Sequence, residues 1–404
     1  VDLLNGIFSF VRDGDLHGFK TDLEKKEPTL NFISIEGDFE NSEFQYCTEC
    51  LINGKTIDHK KVRESLQMSG DSLVIAGSKI KTKVHIHVNK PADVFEICTN
   101  FGTVSGEKAD DMWQQQEDAQ GYKSKGVAIV TDSGADIPED IDLDIHTVPV
   151  RYNFGETAYV DKLSQTPEEF YNELATNPEH PKTSQPTPGD FRRQYQFLQT
   201  HYDSIISIHL PHELSGTYQS ALNASKRVDN TKINVVDGLS ASVGLGLIVM
   251  KAAQLAKAGK KHDEISAILP EIISQSSVYL VVKDLSYIVK GGRLPGWVKK
   301  VADCLYIRPV LSIKENGSMG ASGVIRGISN LPEKMSKLVL GKMDPKKSYN
   351  ISIGHCNILA DGEKLMKLIQ RGHNEINSIY LMDIGCALGV HAGPGSLAVA
   401  IQPV

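Results

Sequence analysis

The 404-residue chain has no run approaching the roughly 18 apolar residues of a membrane span. It has no long block of Lys or Arg. With 43 basic against 50 acidic residues its formal charge is -7, which excludes a basic nucleic-acid footprint. No G-x-x-x-x-G-K-[S/T] occurs and no G-x-G-x-x-G follows a strand-like stretch, so a nucleotide cradle has little support. "GLGLIVM" (244–250) carries two of the glycines but lies inside a helical pattern. "VDLLNGIFSFVRDGDL" does not read as a secretory leader: it has no basic start and carries acids through its apolar part. The missing initiating Met marks the chain as processed or as a piece of something longer. Cysteine is sparse. Cys47, Cys50, Cys98, Cys304, Cys356 and Cys386 are scattered, mostly in apolar runs, as in a reduced cytoplasmic protein and not a disulfide scaffold. What remains is an ordinary globular composition, 40% hydrophobic and 23% charged, with length for two or three domains.

"MWQQQEDAQGYKSKG" (112–126) is polar and aperiodic, and reads as a helix end running into a linker. Before it, strand-like stretches ("FISIEGDFE", "EFQYCTECLI", and the pair "SLVIAGS" and "IKTKVHIHVN") mix with two short helices, "DHKKVRESLQMSG" and "PADVFEICTNFG". That is a small α+β domain. After it, strand and helix alternate: "VAIVTDS", "TPEEFYNELAT" with Thr166 as N-cap, "SIISIHL", "GTYQSALNASKRV", "KINVVDG", and a long apolar helix closed by Gly259. The pattern resumes at "SVYLVV", "YNISIGHC" and "INSIYLMDIG". The fold class expected is α/β, a two-lobed unit with mostly parallel sheets covered by helices, preceded by the α+β domain.

Ligands of open parallel sheets bind beyond the carboxyl ends of the strands. "TDSGAD" (131–136), "HLPHELSGTYQSA" and "TSQPTPGDF" all fall there. Two hydroxyl-rich helix starts on one crevice offer O–H and free N–H groups together, which suits an anion, and a carboxylate better than a phosphate. The plain alternative is that Ser215 and Thr187 only cap their helices. His391 lies among small residues, Ala392, Gly393 and Gly395, which allow close approach to a ligand. It is otherwise a structural histidine. A Ser215–His391 nucleophile pair would make a hydrolase, but no G-x-S-x-G elbow surrounds Ser215. "KGGRLPG" (290–296) is either a solvated helix entry or a docking patch and phosphate neighbour using Lys290 and Arg293. In "KVHIHV", His85 and His87 alternate and leave one face of a strand. With Cys47 they make three zinc ligands, leaving a fourth position for water, a carboxylate or a partner; Cys50 points the other way. The alternative is two surface histidines.

Taken in order, "VAIVTDSGADIP", "HTVPVRYNFGETAYVDKLSQTPEEFYNEL", "PKTSQPTPGDF", "SIISIHLPHELSGTYQSA", "VVDGLSASVGLG", "IVKGGRLPG" and "HAGPGSLAVAI" resemble the DegV family, over residues 127–404. That family resembles the fatty-acid-binding subunit of bacterial fatty acid kinase. The resemblance implies a long-chain fatty acid held between two α/β lobes (about 127–285 and 286–404). Its carboxylate would meet Thr183, Ser215 and His391, with backbone groups near Ser184 and Gly216. Two departures are "PHELSG", where Ser-Ser-Gly-type residues are commoner, and "GWVKK" after the KGGR turn.

Residues 31–117 look like the middle domain of the fatty acid kinase itself, in "EFQYCTECLI", "KVHIHVNKPADVFEI" and "MWQQQEDA", with "NKPAD" departing from Asn-Asp-Pro-Gly. The resemblance implies zinc on Cys47, His85 and His87. The kinase's nucleotide-binding domain, related to that of dihydroxyacetone kinase, has no counterpart here, and residues 1–30 read as a linker remnant. The expected arrangement is thus 1–30, a domain at 31–121, a linker at 122–126 and the carrier at 127–404. The chain is expected to be a non-catalytic, lipid-binding part of a kinase system. It would work with a kinase domain in cis or in trans, and would form a homodimer through its first domain. The alternative is an enzyme in its own right, either a kinase with an unrecognised nucleotide site or a Ser/His lipid hydrolase.

Overall fold

The computed structural model describes residues 44–112, 126–229, 231–327 and 329–404. Residues 1–30, the strand-like "FISIEGDFE" and nearly all of the linker lie outside the described residues.

The first domain runs β1 (Tyr46–Asn53), α1 (His59–Leu66), β2 (Asp71–Gly77), β3 (Lys81–Val88), α2 (Pro91–Thr99) and β4 (Thr103–Asp111). Asp58 opens α1 by accepting the N–H of Lys60 at 3.0 Å. Pro91 pre-sets the first turn of α2. The antiparallel order is β2-β3-β1-β4. One sheet face buries Cys50, Ile52, Val84 and Ile86 against Val62, Leu66, Val94 and Cys98 of the helices. Strand alternation puts Cys47, His85 and His87 on the other face. Sequence reading passed over β4, because "TVSGEKADD" is almost wholly polar. Gly106, at φ +65°, forms a bulge where β4 pairs with β1.

The first lobe holds β5 (Val127–Asp132), β6 (Ile145–Val148), β7 (Arg151–Phe154), β8 (Thr157–Val160), α3 (Pro167–Thr176), β9 (Lys182–Ser184), α4 (Pro188–Leu198), β10 (Ser204–His209), α5 (Thr217–Ser225), β11 (Lys232–Asp237), α6 (Val243–Lys257) and α7 (His262–Gln275). Its main sheet is wholly parallel, in the order β11-β10-β5-β6. A small antiparallel sheet, β8-β7-β9, stands apart from it. Helix α6 is buried nearly all round because it packs on β5 of this lobe and on β15 and β17 of the next.

The second lobe is β12 (Ser277–Val281), α8 (Ser286–Lys290), α9 (Gly296–Cys304), β13 (Ile307–Ile313), β14 (Met319–Arg326), α10 (Leu331–Leu340), β15 (Tyr349–His355), α11 (Leu359–Gly372), β16 (Ile376–Asp383), α12 (Cys386–Ala392) and β17 (Leu397–Pro403). Its sheet runs β14-β13-β12-β17-β15-β16. Only β15–β16 is parallel; the other pairings are antiparallel, so this sheet is mixed where the first lobe's main sheet is parallel. β13 and β14 pair as a hairpin around Asn316-Gly317, with Gly317 at φ +81°, and β17 runs antiparallel to both its neighbours, β12 and β15. Strand β12 pairs with β13 and β17, so the sheet of this lobe begins before the break expected at 285–286. Among the described residues no helix is long and apolar enough to cross a membrane.

Candidate functional site

Thr183 lies on β9, one strand from the centre of the small sheet, opposite Tyr152 of β7. Its strand is placed by the helix that follows. Thr187 caps α4 in a capping box with Asp190, each accepting the other's backbone N–H (2.8 and 3.2 Å). Arg151 of β7 binds Asp190 at 2.9 Å, tying the helix start back to the sheet. Thr187 is therefore a cap.

His391 comes from the other lobe, on α12. Its Nε2 lies 3.1 Å from Thr183 Oγ1, across 208 residues of sequence. Its Nδ1 is buried without a hydrogen-bond partner among the described residues. Gly291, in the KGGR turn, lies against the ring so closely that a Cβ there would overlap Nδ1. Burial, with the charges of Arg293 and His180, pushes the imidazole pKa down to about 4, so His391 is neutral at pH 7.

Ser215 precedes α5. Its hydroxyl lies 2.8 Å from Thr217 Oγ1 and accepts the Thr217 N–H at 3.3 Å. It is not the residue flanking the helix; Gly216 is, and makes no side-chain cap. A Cβ on Gly216 would overlap the amide of Gln185, which in turn donates to Ser220 Oγ at 3.1 Å.

Thr183, Gln185, Ser215, Gly216, Arg293 and His391 all line one cavity of about 180 Å³. Its remaining wall is largely apolar, including Val278, Leu280, Leu311, Ile313 and Met319. The arrangement is a polar mouth over a greasy interior, formed between two lobes. Ser184 is not among the lining residues: it stands opposite Arg151 in the small sheet and its side chain is exposed. Arg293 reaches the mouth and donates to the Leu214 carbonyl at 3.3 Å, while Lys290 stands outside the cavity wall. Sequence reading missed Gln185. The signal available was the intolerance of Gly216 for a side chain, which needs coordinates to see.

A Ser–His–Asp order also occurs, but elsewhere. Ser207 donates to His209 Nε2 (2.6 Å), whose Nδ1 faces Asp132 (2.9 Å), and Tyr195 donates to Ser207 (2.8 Å). All four are essentially unexposed, so no substrate reaches this serine. Asp132 instead accepts the N–H groups of Gly134 and Leu210, two residues of the cavity wall.

On the first domain, Cys47, His85 and His87 place one ligand atom each within 4.8 Å of one another, with Cys47 Sγ 3.8 Å from His85 Nδ1. Tetrahedral zinc, with bonds of about 2.3 Å to sulfur and 2.0 Å to nitrogen, asks for S···N separations of about 3.5 Å, so the set fits after a small closure. Glu49 and Asp71 stand at the Nδ1 atoms of His85 and His87, at 3.1 and 3.2 Å. Without metal, burial and Asp110 push the Cys47 thiol up to about 11.

A two-lobed α/β unit with a hydroxyl- and histidine-lined mouth over an apolar cavity defines a class of small-molecule binding protein. The DegV family profile matches residues 126–404, and the chain belongs to that family. The profile of the FakA-like middle domain of fatty acid kinase matches residues 43–119. A DegV domain-containing protein of Clostridium acetobutylicum is 31% identical over 278 residues, covering 68% of this chain and 98% of its own length. One from Caldanaerobacter subterraneus is 32% identical over 284 residues, with the same coverage. Among solved structures, a fatty-acid-binding DegV protein of Thermus thermophilus aligns at TM-score 0.63 and 27% identity, over 69% of this chain and all of its own. The fatty-acid-binding DegV of Bacillus subtilis aligns at 0.63 and 28%, over 69% and 99%.

Proposed function

We propose that this chain binds one long-chain fatty acid between its lobes and presents the carboxylate for phosphorylation by a kinase domain, in cis or in trans. The observation that carries the reading is the contact of Thr183 Oγ1 with His391 Nε2, at 3.1 Å, at the polar end of an apolar cavity. The fatty-acid-binding relatives of Thermus and Bacillus support the ligand class. Each buried methylene contributes about 0.8 kcal/mol before ordering costs. An unpaired carboxylate would cost several kcal/mol to bury; Thr183, Ser215 and neutral His391 offset that cost without the tight grip of a bidentate arginine. Arg293, half-buried at the mouth, would neutralise part of a growing phosphoryl charge.

The middle-domain match on the same chain supports the kinase link. In that domain Cys47, His85 and His87 would hold zinc, supplying a structural cross-link between β1 and β3, with the fourth position open to water, a carboxylate or a partner. The same domain is the surface we assign to a homodimer.

The hydrolase alternative is disfavoured by the partners of its two residues: Ser215 bonds within its own turn and His391 bonds Thr183. Incubating the chain alone with Mg-ATP and palmitate, or with an acyl ester, tests the reading. No turnover and stoichiometric palmitate uptake are expected; turnover by this chain alone would replace the carrier with an enzyme.

A further inference from the structure

Helix α12 carries His391, yet its opening turn is held from the other lobe. Asp161, at the end of β8, accepts the Ala387 N–H at 2.9 Å. Asp136, in the loop after β5, accepts the Gly385 N–H at 3.0 Å and the Ser242 hydroxyl at 2.7 Å. Both acids are 1% exposed. Lys162 lies between them and the backbone, its Nζ 3.1 Å from Asp136 and 2.7 Å from the Ala135 carbonyl. Its own backbone is at φ +64°, a conformation a lysine adopts only when the surroundings impose it. A side chain on Gly385 would press on Lys162 and on both carboxylates. Two buried carboxylates, one ammonium and two backbone donors thus converge on one turn, and that turn lies under two helical turns from His391.

We propose that Asp161 and Asp136 are positioning residues for the carboxylate site: reaching from the first lobe, they fix the opening turn of α12 and so set where His391 meets Thr183. This rests on the carboxylate-binding reading above. A cluster serving only as glue between the lobes would tolerate a shift of α12 that a hydrogen bond to Thr183 would not, because such bonds weaken steeply with distance and angle.

The experiment uses the full chain with [1-13C]palmitate, read by its dissociation constant and by the carboxyl carbon resonance of the bound acid. Asp161→Ala is expected to weaken binding about tenfold, the loss of one charge-assisted hydrogen bond, and to move the bound resonance. Asp161→Asn keeps an oxygen for Ala387 and is expected to stay within about threefold of wild type. Ile369→Val, in the far core of the second lobe, is the stability control, lowering Tm while leaving both readouts in place. Should Asp161→Ala not fold, Asp161→Glu carries the test: its extra methylene displaces the turn and is expected to change affinity and resonance together. Unchanged affinity and resonance in whichever variant folds overturns the proposal. A wild-type chain that takes up no palmitate overturns the reading beneath it, and the proposal with it.

Discussion

Thr183 and His391 lie 208 residues apart, on different lobes, and their side chains meet at 3.1 Å. If that meeting is the carboxylate clamp, the two residues act as a unit. Thr183→Ala and His391→Ala are each expected to lower palmitate affinity about tenfold, and the double variant to lose less than the sum, as coupled neighbours do. Isothermal titration of the four proteins checks it; strict additivity would mean two independent contacts.

The protonation of His391 follows from its burial. Its pKa is depressed to about 4 from the ordinary 6.5. A depressed value means its stabilising contribution is present above 6.5 and is lost as pH falls through 4. The NMR titration of the unliganded protein should show no His391 midpoint between pH 5 and 8. A bound carboxylate favours the charged imidazole, so binding near pH 5 should take up protons, detected as a buffer-dependent enthalpy. A His391 midpoint near 6.5 in the unliganded protein would contradict this.

Gly291 gives a packing test. Its backbone is ordinary, φ -70°, so alanine brings no strain of its own; the three atoms nearest its Cβ would all belong to the His391 ring. Gly291→Ala is expected to cut palmitate binding by about tenfold or more, with the modest loss of Tm that overpacking brings. Binding equal to wild type would show that the ring can step aside without consequence.

Asp161 is an acid whose pKa burial raises to about 6 from 3.8, despite Lys162, the Ala387 N–H and the Ser133 hydroxyl, which favour the charge; Asp136 opposes it. A raised value means the stabilisation of its neutral form is full below 3.8 and is lost as pH rises through 6. Asp161→Asn should therefore be more stable than wild type at pH 8, by on the order of 1–3 kcal/mol. The gap should close by about pH 4. Thermal melts across pH check both; a constant gap would place the cost elsewhere.

For the first domain, gentle purification should yield near-stoichiometric zinc, removed by chelator with a loss of Tm, and Cys47→Ser should lower the zinc content. Metal-free protein with an unchanged melt would leave His85 and His87 as ordinary surface residues.

Much of the fold was legible because its rules are local. Thr166 announced its helix, Gly259 (φ +81°) closed the long one, and alternation put His85 and His87 on one face. The motifs drew attention to Thr183, Ser215 and His391, and the fold brings these three to one cavity wall. What escaped was non-local. Strand β4 escaped because it is almost wholly polar and is fixed by pairing with β1, 50 or more residues back along the chain, through a bulge. The Asn316-Gly317 hairpin was readable from its turn and was overlooked. Ser184, expected as a backbone neighbour of the carboxylate, is not among the residues lining the cavity. The contacts of Asp136 and Asp161 with the start of α12 join residues more than 220 positions apart, which no local pattern announces.

The most direct test of the central claim is mass spectrometry of a solvent extract from the purified chain, with uptake of added palmitate. The account predicts about one long-chain fatty acid per chain, lost in the Thr183→Ala, His391→Ala double variant. A lipid-free protein that also takes up no palmitate would contradict it.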